Sequence, residues 1–147
     1  LGLAPAVEAL RDRAREAHGL RITSIVGIGE GGRRLDPEIE TVIYRVVQES
    51  LTNAIRHSLA EHVEVEVTER NGQLRIAIRD DGRGFDLAAP SDGFGLSGMR
   101  ERISLAGGQL EISSSSAGTE IKALVPLRQG SEASADWADA PATVRHA

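Results

Sequence analysis

Apolar positions recur along this chain with two different periods, and the switches between them divide it into elements. Leu3, Val7 and Leu10 fall at helical spacing, with Arg11, Arg13 and Arg15 outward, so residues 1–18 are expected to form a helix. Gly19 supplies its stop. Leu20, Ile22 and Ile25 predict a short strand. The run GIGEGG at 27–32 opens no helix, and reads as a connecting loop rather than a phosphate loop. Asp36-Pro37 then opens a second helix, with Asp at the cap, Pro in the first helical position and Glu38 and Glu40 near the positive end of the dipole. Ile43, Val46, Val47, Leu51, Ala54 and Ile55 make its apolar stripe. Glu49 and Asn53 lie on the flank of that stripe one turn apart, and His57 lies one turn further.

From residue 63 the period changes to two. Val63, Val65 and Val67 alternate with Glu64 and Glu66, Asn71-Gly72 supplies a tight turn, and Leu74, Ile76 and Ile78 alternate on the return strand. Alternate residues of a strand share a face, so Asp80 belongs with the buried set and Asp81 points away. A carboxylate on the apolar face needs a partner. Residues 86–95 read as a loop. A helix from Leu96 to Ala106 carries Leu96, Met99, Ile103 and Ala106 on one side and ends at Gly107-Gly108. Strands at 109–113 and 119–125 follow, joined by a serine-rich turn that ends at Gly118. Thr119 shares parity with Ile121, Ala123 and Val125, which directs its hydroxyl inward. Beyond residue 128 all periodicity is lost. Residues 1–128 are therefore expected to form one domain, and 129–147, with Trp137, a disordered Ser/Ala/Asp-rich tail.

Composition narrows the function classes. The net charge of −5 argues against a general nucleic-acid surface, which needs clustered Lys and Arg. The absence of cysteine excludes disulfide and thiolate chemistry and is compatible with a cytoplasmic setting. No apolar run approaches the roughly 20 residues that span a bilayer, so an anchor, if the parent protein has one, is expected outside this chain.

Three clusters carry candidate chemistry. Asp80, beside Gly82 and Gly84, can accept a hydrogen bond from an exocyclic amine such as that of adenine, with the glycines admitting close backbone approach. It can also be a turn acid that satisfies its own backbone. Thr119 entering the same face favours the ligand reading. The amide oxygen of Asn53 suits a hard cation such as magnesium, and Glu49 can orient or deprotonate a metal-bound water. The alternative for this pair is a solvated helix flank, and for His57 packing or capping. Gly93-x-Gly95-x-x-Gly98 matches a dinucleotide fingerprint by letter, but no strand precedes it. What remains is a glycine-rich turn feeding a helix, whose free N–H groups favour phosphate and beside which Arg100 can add charge. None of His18, His57, His62 and His146 lies mid-helix beside an acid, so the chain shows no phosphoacceptor histidine.

In order, these segments resemble the motifs of the histidine-kinase, gyrase, Hsp90 and MutL ATPase superfamily. ESLTNAIRH (49–57) is similar to its N box, DDGRGF (80–85) to its G1 box, GFGLSGMRER (93–102) to its G2 box, and Gly118-Thr119 to its closing Gly-Thr. YRVVQESLTNAIRH, GFGLSGMRERI and the opening LGLAPAVEAL resemble one subgroup, the bacterial sensor histidine kinases paired with NarL/LuxR-type response regulators. The resemblance covers about residues 1–127. It implies an α/β fold: a two-layer sandwich with a mixed β-sheet packed on helices and a nucleotide site between a helix and a lid loop. It also implies ATP and Mg2+ as cofactors. Asp80 would take the adenine amine with Thr119 in support, and Asn53 the magnesium. Gly82, Gly84, Gly93, Gly95, Leu96, Gly98 and His57 would complete the ATP site, with Glu49 the candidate base. The implied partners are a dimerisation and phosphoacceptor domain outside this chain and a response regulator. The full-length protein would be a homodimer and this fragment a monomer. A serine kinase of the anti-sigma-factor type shares the fold, but GMRER and the LGL segment argue against it. A non-catalytic nucleotide sensor is the alternative from another class.

Overall fold

The computed structural model describes residues 2–28, 35–87 and 95–127. The expectations for GIGEGG beyond Ile28, for Gly93 and most of its loop, and for the 129–147 tail lie outside these residues. Helix α1 spans Leu3–His18, buries Leu3, Val7, Leu10 and Ala14, and is stopped by Gly19 at φ 67°. Strand β1 (Arg21–Gly27) points Ile22, Ser24 and Val26 toward the helices. Ile25 is 59% exposed. The expected set of Leu20, Ile22 and Ile25 therefore mixes two faces, because an odd offset along a strand reverses the side chain.

Helix α2 (Pro37–Asn53) starts as its sequence implies, with Asp36 Oδ1 accepting from the Glu38 N–H at 2.9 Å. Its end is less ordinary. Residues Ala54–Ser58 continue as one π-helical turn, and Leu59 then adopts φ 53°. The Ala60 N–H closes this wide turn on the carbonyl of Ala54 at 2.9 Å. Such turns are frequent at functional sites because the extra residue re-aims the side chains that follow.

Strands β2 (His62–Arg70) and β3 (Gln73–Asp80) form the hairpin predicted from Asn71-Gly72, both of which have positive φ. Helix α3 (Leu96–Leu105) leads into β4 (Gln109–Ser115) and β5 (Gly118–Pro126). The five strands lie in the order β1-β2-β3-β5-β4, with β1 parallel to β2 and the other pairs antiparallel. This is the expected mixed sheet packed on helices. One face carries the core: Val63, Val65, Val67, Leu74, Ile76, Ile78, Ile121, Ala123 and Val125 against Val7, Ile43, Val46, Val47, Met99 and Ile103. The other exposes Glu64, Glu66, Arg75, Arg79 and Lys122.

Register shows where the apolar face stops. Ser24, Val65, Ile78, Ile121 and Ile112 form one cross-strand row. The neighbouring row begins with Ile22 and Val63 but continues as Asp80, Thr119 and Ser114. One end of the core face is thus polar across three adjacent strands.

Asp81 points outward as parity requires, yet it has a structural task. Its Oδ1 accepts from the N–H groups of Glu61 and His62, each at 2.9 Å, and so pins the start of β2 to the end of β3. The His62 hydrogen bond holds this carboxyl below the ordinary 3.8 against an opposing effect of burial, with the Glu61 hydrogen bond lowering it further. Its folded value is depressed, so its contribution is complete above about pH 4 and is lost as pH falls through the lower folded value. Asp81→Ala is expected to cost about 1 kcal/mol at pH 7 in urea titrations, because this exposed acid leaves two N–H groups to water. The gap from wild type should narrow progressively below about pH 4; a gap independent of pH would refute the charge-assisted clamp.

Candidate functional site

Asp80 closes β3 in the polar row, and the chain has organised one of its two oxygens completely. Oδ1 accepts from Ser58 Oγ at 2.8 Å, the Gly82 N–H at 3.0 Å and the Thr119 N–H at 3.2 Å. Among the described residues Oδ2 accepts no hydrogen bond. A carboxylate with one oxygen saturated by the protein and the other left over is placed to receive a donor from a ligand. The turn-acid alternative is half right, since the Gly82 bond is of that kind, but two of the three donors come from distant elements.

Ser58 and Ser114 were not singled out by sequence, and both belong here. Ser58 is fully buried at the end of the π turn. Its Oγ also accepts from the Gly84 N–H at 3.1 Å, and its carbonyl from the Arg83 N–H at 2.8 Å. Ser114 Oγ accepts from the Phe85 N–H at 2.9 Å and pairs with Thr119 Oγ1 at 2.8 Å. The sequence pattern places Ser114 in a turn after a strand ending at 113. The strand instead runs to Ser115, and only Ser116 and Ala117 turn. The segment 80–85 is thus tied on one side to the α2 end and on the other to β4 and β5.

Gly82 and Gly84 have a structural purpose of their own. A Cβ on Gly82 would overlap the hydroxyl and carbonyl of Ser58, and one on Gly84 (φ 72°) the carbonyl of Ser115. They let protein approach protein, which places the carboxylate. Gly95, at φ 65°, is the residue before α3, and a Cβ there would strike the carboxyl of Glu49. Glu49, half-buried on α2, is therefore brought against the start of α3. Leu96, half-buried, opens α3, and Gly98 in its first turn faces the guanidinium of Arg102. Arg100 does not face that end: its guanidinium donates to the Leu110 carbonyl at 3.2 Å on β4.

Asn53, 2% exposed, is the last residue of α2, one turn beyond Glu49. Its Oδ1 is buried and accepts no hydrogen bond among the described residues. An amide oxygen in that state fits the inner ligand sphere of a hard cation. Among the described residues no group of three or more His, Cys, Asp or Glu could hold a metal. His57 is half-buried within the π turn, and its carbonyl accepts from Arg83 Nε at 3.4 Å.

The sequence matches a protein family over residues 38–129: "Histidine kinase-, DNA gyrase B-, and HSP90-like ATPase". It is 35% identical over 129 residues to the signal transduction histidine-protein kinase/phosphatase DegS of Brevibacillus brevis, covering 86% of this chain and 33% of that protein. It is 38% identical over 130 residues to the sensor histidine kinase MctS of Rhizobium johnstonii, covering 86% of this chain and 28% of that one. This chain thus spans about a third or less of those relatives. Among solved structures, the histidine kinase domain of the Erythrobacter litoralis EL346 blue-light activated kinase superposes with a TM-score of 0.71 at 20% identity, over 86% of this chain and 66% of that one. The Acinetobacter baumannii histidine kinase AdeS gives 0.65 at 17%, over 88% and 66%. These two share the fold.

Proposed function

This chain belongs to the histidine kinase-, DNA gyrase B- and HSP90-like ATPase family, and from that premise we propose that it binds Mg-ATP and donates the γ-phosphate to a histidine on a dimerisation domain outside residues 1–147. The observation that carries the reading is the divided carboxylate of Asp80, with three protein donors on Oδ1 and Oδ2 left for the adenine amine. Asn53 would hold the magnesium through its amide oxygen, and the start of α3 would face the phosphates with free N–H groups. When bound, the metal supplies charge neutralisation at the transferring phosphoryl group. The protein's part is positioning. Glu49 sits beside Gly95, at the phosphate end, where a carboxylate can orient a metal-bound water.

Residues 1–128 would be the catalytic unit and 129–147 an appended tail. The full-length protein would act as a homodimeric sensor kinase on a NarL/LuxR-type response regulator, with this portion in the cytoplasm. No helix among the described residues is long and apolar enough to cross a membrane. The test is calorimetric titration with ATP, with and without magnesium, followed by phosphate transfer in trans to the supplied helical domain. Asn53→Ala should weaken binding about tenfold with magnesium and about twofold without it. Equal losses would remove the metal assignment, and a folded wild type that binds no ATP would remove the function.

A further inference from the structure

The hydroxyl of Ser58 stands behind Asp80, and the ligand cannot reach it. Ser58 has no exposed surface. Its proton goes to Asp80 Oδ1 at 2.8 Å and its lone pair takes the Gly84 N–H at 3.1 Å. The same residue's carbonyl takes the Arg83 N–H. Ser58 thus ties together the carboxylate oxygen that faces the protein and the 82–84 backbone that wraps it. The other two donors to Oδ1 are backbone N–H groups, from Gly82 and Thr119. Of the donors to Oδ1, Ser58 alone is a side chain, and it comes from the helix that also carries Asn53. The hydroxyl joins the strand that would read the base to the helix that would hold the metal.

We propose that Ser58 is a positioning residue for base selection: it orients Asp80 so that Oδ2 alone meets the exocyclic amine of the purine. This inference rests on the proposed ATP site and adds to it the residue that makes Asp80 selective. Its consequence is specific. Loss of the hydroxyl frees the carboxylate to rotate, which weakens a bond to the amine but leaves contacts to phosphate, ribose and metal in place.

The test compares ATP with purine riboside triphosphate, which lacks the 6-amino group, on wild type and on Ser58→Ala, with thermal unfolding of each protein. Wild type should prefer ATP. Ser58→Ala should lose about tenfold in ATP affinity and less than about twofold for the analogue, compressing the preference. Ser58→Thr keeps the hydroxyl and should keep the preference, which holds the proposal to account if the alanine protein does not fold. Equal losses for both nucleotides would make Ser58 merely structural and overturn the inference. So would an undiminished preference in the alanine protein, or a preference lost in the threonine one. Failure of the underlying site looks different: wild type itself would show no preference for ATP, or Asp80→Asn would bind as wild type does.

Discussion

Asp80→Asn is expected to lower ATP affinity by about a hundredfold or more while the domain stays folded. The reason is that neither orientation of the amide satisfies both sides of the position. If the asparagine oxygen takes over the bonds from Ser58, Gly82 and Thr119, its NH2 group faces the ligand amine, donor against donor. If the oxygen faces the ligand, the NH2 group meets those three protein donors instead. The first arrangement preserves the fold, so stability should change by no more than about 1 kcal/mol while binding collapses. Calorimetric titration and urea denaturation on the same preparation separate the two effects. Wild-type affinity in a folded Asp80→Asn protein would sink the assignment of the amine.

Gly118→Ala should produce the largest loss of stability, about 3 kcal/mol or more. Gly118 has φ 132°, which a side chain resists, and a Cβ there would overlap the carbonyl of Asp80 and sit 3.4 Å from the Asp81 Cα. Neither obstacle is a flexible side-chain tip, so relief requires β5 to draw back from β3. That movement takes the Thr119 N–H from Asp80 Oδ1 and breaks the polar row. Urea denaturation should therefore show a large loss, and whatever folded protein remains should bind ATP more weakly. A cost under about 1 kcal/mol would mean that the strand end gives way easily.

The parts of this architecture that follow from near neighbours in the chain were legible in the residues alone. The period-two alternation of 63–67 and 74–78 gave both strands their faces, and with them the inward placement of Asp80. Asp36-Pro37, Gly19 and Asn71-Gly72 gave the ends and turns, because each acts through its own backbone. Ser58 was not legible. Its bond to Asp80 spans 22 positions and depends on a π turn whose sequence, AIRHS, fits an α-helix equally well. Ser114 was lost because four consecutive serines resemble a turn, whereas the cross-strand partner that keeps it in the sheet, Thr119, lies on another strand. Ile25 faces outward because its odd offset from Ile22 along β1 reverses the side chain, a parity that a short apolar run conceals.

The turn at 54–58 works as a vernier between the two halves of the site. A π turn holds about one residue more than an α turn, so it shifts everything after it by about 100° of rotation relative to a continuous helix. Asn53 lies before that shift and Ser58 after it. Chain length between them is therefore a setting rather than slack. Removing one residue between Asn53 and Ser58 would restore an even helical pitch and leave Glu49, Asn53 and Asp80 intact. It would also swing the serine hydroxyl off the carboxylate, so that the metal end and the base end no longer address the same nucleotide.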